Sequence, residues 1–193
     1  MVPTKILSLN ASPRKRGNTD LLSQAVLKAA REQGAVTETL YLIDQKIGLC
    51  TQCEGCHAAE PNRCVLVDDF AEIVEKLKAA DVIVIATPIW WSGVHASLKL
   101  LLDRCYSLLS GNWDKFQLQG KGLVVIACQT QADENLYVRP LVKEFEVYQD
   151  WLKLTVIDSL VASAEKKGEI LENAELMARA ERVGASLAGW KRA

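Results

Sequence analysis

No run of apolar residues in this sequence approaches the ~20 that a membrane-spanning helix needs. Charge of one sign is also missing: 23 Lys and Arg face 24 Asp and Glu, for a formal net charge of −1. Proteins that coat nucleic acid or anionic membranes carry a basic surplus, so neither partner is expected. Glycine and proline are sparse, 11 and 5 in 193 residues, which excludes a fibrous or disordered chain. Histidine is scarcer still. With only His57 and His95 present, no Ser-His-Asp set exists and histidine-led acid–base chemistry has few candidates. The sequence enters a strand-like run without a signal-type apolar leader, so a cytoplasmic protein is expected. The length suits one domain, residues 1–193.

What is present is an alternation of short apolar runs and helical stripes. Strand-like runs occur at Ile6–Leu9, Val36–Leu42, Val82–Ala86, Leu123–Ala127 and Thr155–Ala162. Between them lie helical patterns. Asn18 or Thr19 is placed to cap the first, which ends at Gly34, and Asp68 or Asp69 the second. A third stripe runs from Val94 to Leu109, a fourth carries Pro140 in its first turn, and a fifth ends at Trp190. Five βα units of this size predict a doubly wound α/β fold, a five-stranded parallel sheet of order 2-1-3-4-5. Such sheets bind ligands beyond the carboxyl ends of their strands, where strand order reverses. The loops after the first, third and fourth strands are therefore the ones to inspect.

The first of these reads Asn10-Ala11-Ser12-Pro13-Arg14-Lys15-Arg16-Gly17-Asn18-Thr19. Small hydroxyls, a glycine, three cations and a helix N-terminus coincide there, which suits an anion such as phosphate. Ser12, Asn18 and Thr19 can donate to phosphate oxygens, and Arg14 can pair with them. A solvated turn with a helix cap is the alternative. No Walker A spacing and no Gly-x-Gly-x-x-Gly fingerprint is present. The loop after the third strand reads Thr87-Pro88-Ile89-Trp90-Trp91-Ser92-Gly93. Two adjacent tryptophans must cover something, either a flat conjugated ring or a partner subunit, and one of the two is expected to cap the core. Gln129 and Thr130, after the fourth strand, offer an amide and a hydroxyl to a polar ring edge.

Four of the six cysteines, Cys50, Cys53, Cys56 and Cys64, fall in the irregular stretch 45–66. Cys105 and Cys128 lie in apolar surroundings and read as buried small hydrophobes. Thiolates at these spacings suit a [4Fe–4S] cluster or zinc, and tight gaps of two residues favour the cluster. Free thiols, or disulfides formed on oxidation, are the readings without metal. His57 beside Cys56 is a spare ligand or simply exposed. Asp68-Asp69 reads as a helix cap, and His95 as structural.

Ser12-Pro13-Arg14 with Gly17-Asn18-Thr19 resembles the FMN-phosphate loop of the NADPH-dependent FMN reductase family. Thr87-Pro88-Ile89-Trp90-Trp91, followed by Leu98-Lys99 and Leu102-Asp103-Arg104, resembles its isoalloxazine loop and the helix after it. Cys50-x2-Cys53-x2-Cys56-x7-Cys64 resembles the compact cysteine motif of its iron–sulfur flavoprotein branch. Ala11 stands where the family often has glycine, and Trp90 where it often has tyrosine. The resemblance implies a flavodoxin-like fold, bound FMN and homodimers or homotetramers. It assigns Ser12, Arg14, Lys15, Gly17, Asn18 and Thr19 to the phosphate, and Pro88, Ile89, Trp90, Trp91 and Ser92 to the flavin; Gln129 and Thr130 are added from their own chemistry, in a loop that lacks the family's frequent glycines. It assigns Cys50, Cys53, Cys56 and Cys64 to metal. No side chain need act as acid or base, because the flavin carries the chemistry.

Two functions follow. In the first, NAD(P)H reduces FMN, which reduces a quinone, free flavin or other small acceptor. In the second, a ferredoxin-like donor feeds a [4Fe–4S] cluster, which feeds FMN. A flavin-binding regulator without turnover is a third reading.

Overall fold

Alternation along the strands decides which helix layer each side chain meets. The structure, a computed structural model, describes residues 2–58, 62–109 and 116–191. Residues 59–61 of the cysteine-rich stretch lie outside the described residues. The elements run β1 (Lys5–Asn10), α1 (Asn18–Glu32), β2 (Val36–Tyr41), α2 (Phe70–Ala79), β3 (Val82–Trp90), β4 (Gly93–Val94), α3 (Ala96–Arg104), β5 (Gly122–Gln129), α4 (Val138–Leu152), β6 (Thr155–Ser163) and α5 (Ala174–Leu187). The sheet has the order β2-β1-β3-β5-β6, with every neighbouring pair parallel. This is the expected flavodoxin-like order once the two-residue β4, antiparallel to the end of β3, is set aside.

Ile83 and Ile85 of β3, with Leu123 and Val125 of β5, face Phe70, Ile73 and Leu77 of α2, Leu98 and Leu101 of α3, and Leu141 and Phe145 of α4. Val82, Val84 and Ala86, with Val124 and Ile126, face Leu22, Val26 and Ala30 of α1 and Ala180, Val183 and Leu187 of α5. Both faces of the sheet are thus covered, as parallel strands require. Each fully buried aliphatic side chain contributes roughly 1.5–3 kcal/mol. At Gly184 of α5 a Cβ would overlap the Val26 carbonyl of α1, so glycine is what lets these two helices touch. Among the described residues, no helix is long and apolar enough to cross a membrane.

The cap of α1 differs from the sequence expectation, whereas Asp69 stands at the N-cap of α2 as expected. Gly17, not Asn18 or Thr19, occupies the N-cap of α1 and makes no side-chain cap. Asn18 and Thr19 are helical, and the Asn18 side chain is drawn to other partners. Before α2, Asp68 accepts from the Phe70 N–H at 3.1 Å, while the Asp69 carboxylate accepts from the Lys46 N–H at 2.7 Å. Gly34 follows α1 at φ +91°, the left-handed stop that the sequence signalled. The third stripe splits into α3 and a 3-10 turn, Cys105–Leu108. His95 caps α3, its Nδ1 accepting from the Ser97 N–H at 3.3 Å. Burial holds its pKa below the ordinary histidine value, which keeps that nitrogen free to accept.

Candidate functional site

Strand order reverses between β1 and β3, and a cleft of about 240 Å³ opens at the carboxyl ends there. Its phosphate-type wall is the loop after β1. Asn10, fully buried, fixes this loop from below: its Nδ2 donates to Asp20 at 2.9 Å and its Oδ1 accepts from the Ser12 N–H. Asp20 also accepts from the Arg16 N–H at 2.6 Å, which holds Arg16 at φ +61°. The Arg14 N–H turns to Ser12 Oγ, and the Gly17 N–H to the Arg14 carbonyl. Three donors are left over: the N–H groups of Asn18, Thr19 and Asp20 have no partner among the described residues. They stand at the positive end of α1. A Cβ on Gly17 would come 2.9 Å from the Arg14 carbonyl oxygen, so glycine keeps the loop tight around this point.

Arg14 lines the cleft with a guanidinium that has no partner among the described residues. Lys15 does not line it; Lys15 pairs with Asp44 at 2.6 Å and lies over the Tyr41 ring. Asn18 lines the cleft, but its side chain is committed elsewhere. Its Nδ2 donates to the Lys166 carbonyl at 2.9 Å, and its Oδ1 accepts from the Gly168 N–H at 2.9 Å. Asn18 therefore offers an anion its backbone N–H rather than its amide. Thr19 is buried and also lines the cleft. Ser12 keeps its hydroxyl between the N–H and carbonyl of Arg14.

The opposite wall is Pro88, Ile89, Trp90 and Trp91. β3 continues through this segment and turns at Trp91-Ser92 into β4, pairing Trp90 with Gly93. Trp91 and Ser92 both have positive φ, +49° and +62°, as a two-residue hairpin turn requires. Asn-Gly is the sequence that makes such a turn easily; Trp-Ser makes it under strain. The expectation that one tryptophan caps the core fails. Trp90 is 48% exposed and Trp91 99% exposed, because the hairpin carries both away from the sheet. Trp90 meets the edge of His95. Buried Thr87 ties the hairpin shut, accepting from the His95 N–H and donating to the Pro88 carbonyl. Ser92, at the turn, does not line the cleft.

Cys128, Gln129 and Thr130 complete the floor. The Gln129 amide is fully engaged, accepting from the Val138 N–H and donating to the carbonyls of Gln131 and Asp133. It braces the loop that leads to α4 and has no donor to spare for a ligand. Thr130 is free of such bonds among the described residues. Ala164, Glu165 and Lys167, after β6, also border the cleft, and nothing in the sequence pointed to them.

A second cleft, about 490 Å³, is lined by Cys50, Cys53, Cys56 and Cys64 together with Asp103, Arg104, Tyr106 and Ser107. The cysteine-rich stretch is pinned to the end of α3. Arg104 donates to Asp68 and to Cys64 Sγ, the latter at 3.2 Å. Burial raises the Asp68 carboxyl pKa, but the bonds from Arg104, Gly48 and Phe70 outweigh it and hold it below the usual carboxylate range. His57 stacks on Tyr106, with ring centroids 4.6 Å apart. Among the described residues, no three of the thiols, histidines and carboxylates are gathered closely enough to grip a metal ion. Cys53 is stabilised as thiolate by the Gly55 N–H and Thr51. Burial and its neighbours Cys64, Glu54 and Cys53 push the Cys56 thiol up. Cys105 and Cys128 are buried as expected, their thiols pushed up to about 12 and about 11 by burial.

Residues 4–168 match the family described as NADPH-dependent FMN reductase. The chain belongs to this family. It is 34% identical over 146 residues to an iron-sulfur flavoprotein of Methanocaldococcus jannaschii, covering 75% of this chain and 72% of that one. It is 31% identical over 150 residues to an iron-sulfur flavoprotein of Methanosarcina thermophila, covering 78% and 73%. An NAD(P)H:quinone oxidoreductase structure from Methanothermobacter marburgensis shares the fold, with a TM-score of 0.76 at 18% identity, covering 99% of this chain and all of that one. This FMN reductase family member is thus a flavoprotein oxidoreductase, the class the sequence resemblance implied.

The donors of this FMN reductase family member fit an FMN. Three free N–H groups and an unpaired arginine suit a phosphate ester, and the half-exposed aromatic hairpin suits a flat ring. The second cleft is lined by four cysteines, a donor set of the kind that suits a [4Fe–4S] cluster, with the buried Arg104 at its edge. Among the described residues, the Nε–H of Arg104 is buried without an acceptor.

Proposed function

We propose that the chain binds FMN in the cleft between the loops after β1 and β3, and that NAD(P)H reduces the flavin there for transfer to a quinone, free flavin or other small acceptor. The observation that carries this reading is the convergence in one cleft of a free helix N-terminus, an unpaired arginine and an aromatic hairpin from separate parts of the chain. When bound, FMN supplies acceptance of an electron pair and its release in one or two steps. The N–H groups of Asn18, Thr19 and Asp20 bind the phosphate, and Arg14 and Lys167 neutralise it. Pro88, Ile89, Trp90 and Trp91 orient the ring and exclude water from one side. Thr130 offers a hydrogen bond to the ring edge. Gly17 and Asp20 keep the loop in register, and Gln129 does the same for the loop that carries Thr130. A homodimer or homotetramer belongs to the same reading, with the fully exposed Trp91 as surface for a second subunit to cover.

A second reading is favoured by the cysteine cleft and by the names of the relatives. Here Cys50, Cys53, Cys56 and Cys64 hold a [4Fe–4S] cluster, and a ferredoxin-like donor delivers electrons to it. The hairpin that walls the first cleft leads into α3, whose last residue lines the second. Nine helical residues span roughly 13 Å.

Anaerobic purification with FMN, iron and zinc quantitation per chain tests both. The expected result is one FMN per chain, and about four irons if the cysteines hold a cluster. FMN without iron leaves the reductase and removes the carrier. Absence of FMN under conditions that keep the fold contradicts both.

A further inference from the structure

Arg104 closes α3 with its side chain wholly buried. A buried guanidinium is costly unless its charge and its donors are matched. Here the matching is divided. Nη1 donates to the Asp68 carboxylate and, at 3.5 Å, to the Gly48 carbonyl. Nη2 donates to Cys64 Sγ at 3.2 Å and to the Leu66 carbonyl at 3.5 Å. The guanidinium lies 4.3 Å from the centre of the Phe70 ring, which fixes its plane. The neighbouring charges are already engaged: Asp103 pairs with Lys99, and Glu54 accepts from the Tyr106 hydroxyl at 3.4 Å.

A loop anchor needs only the carbonyls and Asp68. The fourth acceptor is a sulfur that faces the cysteine cleft, and a donor at that distance strengthens as negative charge builds on the sulfur. Hydrogen bonds to ligand sulfurs and nearby buried charge are among the protein's controls on a cluster's reduction potential. Burial keeps Arg104 from being screened by salt.

We propose that Arg104 is a positioning residue that orients Cys64 and raises the reduction potential of the centre held by the four cysteines. This rests on the cluster reading given above. One electron enters that centre on reduction, and the fixed positive charge favours the more negative product.

The test compares wild type, Arg104→Lys, Asp68→Asn and the double variant Asp68→Asn/Arg104→Gln. Each is reconstituted anaerobically with iron and sulfide and titrated by spectroelectrochemistry with mediators. Iron and FMN are counted in every sample. The double variant removes the ion pair as a neutral unit, so no buried charge is left alone. Its midpoint is expected to fall by at least a tenfold change in the oxidised-to-reduced ratio, about 59 mV for one electron. Arg104→Lys keeps the charge and loses one of the two donors, so its midpoint lies between. Asp68→Asn removes a negative charge, and its midpoint rises; a loosened loop would instead move every variant the same way. The flavin midpoint stays put in all four. A fully iron-loaded double variant with the wild-type midpoint overturns the proposal, as does a fall in Asp68→Asn. If the double variant does not fold, Arg104→Lys decides: an unchanged midpoint overturns the proposal. A folded wild type that takes up no iron overturns the cluster reading and this proposal together, and leaves the flavin cleft untouched.

Discussion

Six cysteines of one chain sit in distinct environments, and their chemistry should separate accordingly. Cys53 is exposed, and the Gly55 N–H and Thr51 favour its thiolate. Cys56 is half-buried, with its thiol pushed up by burial first and then by its neighbours. Cys105 and Cys128 are buried thiols raised far above neutrality. The thiolate is the nucleophile, so the iron-free protein treated with iodoacetamide near pH 8 should alkylate Cys53 ahead of Cys56. Cys105 and Cys128 should react only after unfolding. Peptide mass spectrometry over time reads the order, and early labelling of Cys105 or Cys128 would contradict the burial described here. The sequence already separated the two isolated cysteines from the four clustered ones, because an apolar neighbourhood is a local signal. It did not show Arg104 against Cys64, a contact between residues 40 apart that exists only after α3 packs on the cysteine-rich stretch.

The β3–β4 hairpin is the element in which local preference and observed conformation disagree most. Positive φ at a tryptophan and a serine costs of order 1–3 kcal/mol each, and the strain lies at the tip of the hairpin that walls the cleft. Replacing Trp91-Ser92 with Asn-Gly keeps the turn and removes the strain. The flavin-free variant should unfold at a temperature a few degrees higher, at roughly 2–4 °C per kcal/mol for a chain of this size. It should also bind FMN more weakly, since the Trp91 side chain proposed to orient the ring is lost. Calorimetry and a fluorescence titration read the two effects. A melting temperature that falls would show that Trp91 is held by packing rather than against its preference. The exposure of both tryptophans was hidden from the sequence for the same reason: Trp-Ser carries no hairpin signature, so the segment read as a loop folded back on the core. The loop after β1 was legible because glycine, hydroxyls and cations crowd one strand-to-helix junction. Its partner after β6 was not, since Asn18 reaches the Lys166 carbonyl 148 residues away.

At the scale of the whole molecule, the alternation of apolar runs determined the outcome. Strands buried on both faces, helices between them and short connections leave few arrangements, and the parallel order follows from right-handed crossovers. That order places the loops after β1 and β3 on either side of the switch point. The chemistry then depends on what those loops carry. The same topology serves many reactions, so function is legible only through the site and through kinship with the FMN reductase family.

The free N-terminus of α1 and Arg14 are proposed to hold a phosphate ester. Binding constants of the flavin-free protein for FMN and for riboflavin, which lacks the phosphate, test this assignment most directly. They should be measured by fluorescence in wild type and in Arg14→Ala. Charge-assisted hydrogen bonds are worth about 1.5–3 kcal/mol each, so FMN should bind at least about tenfold more tightly than riboflavin. Arg14→Ala should weaken FMN and leave riboflavin unchanged. Equal affinity of wild type for the two ligands, or equal loss of both in the variant, would contradict the account.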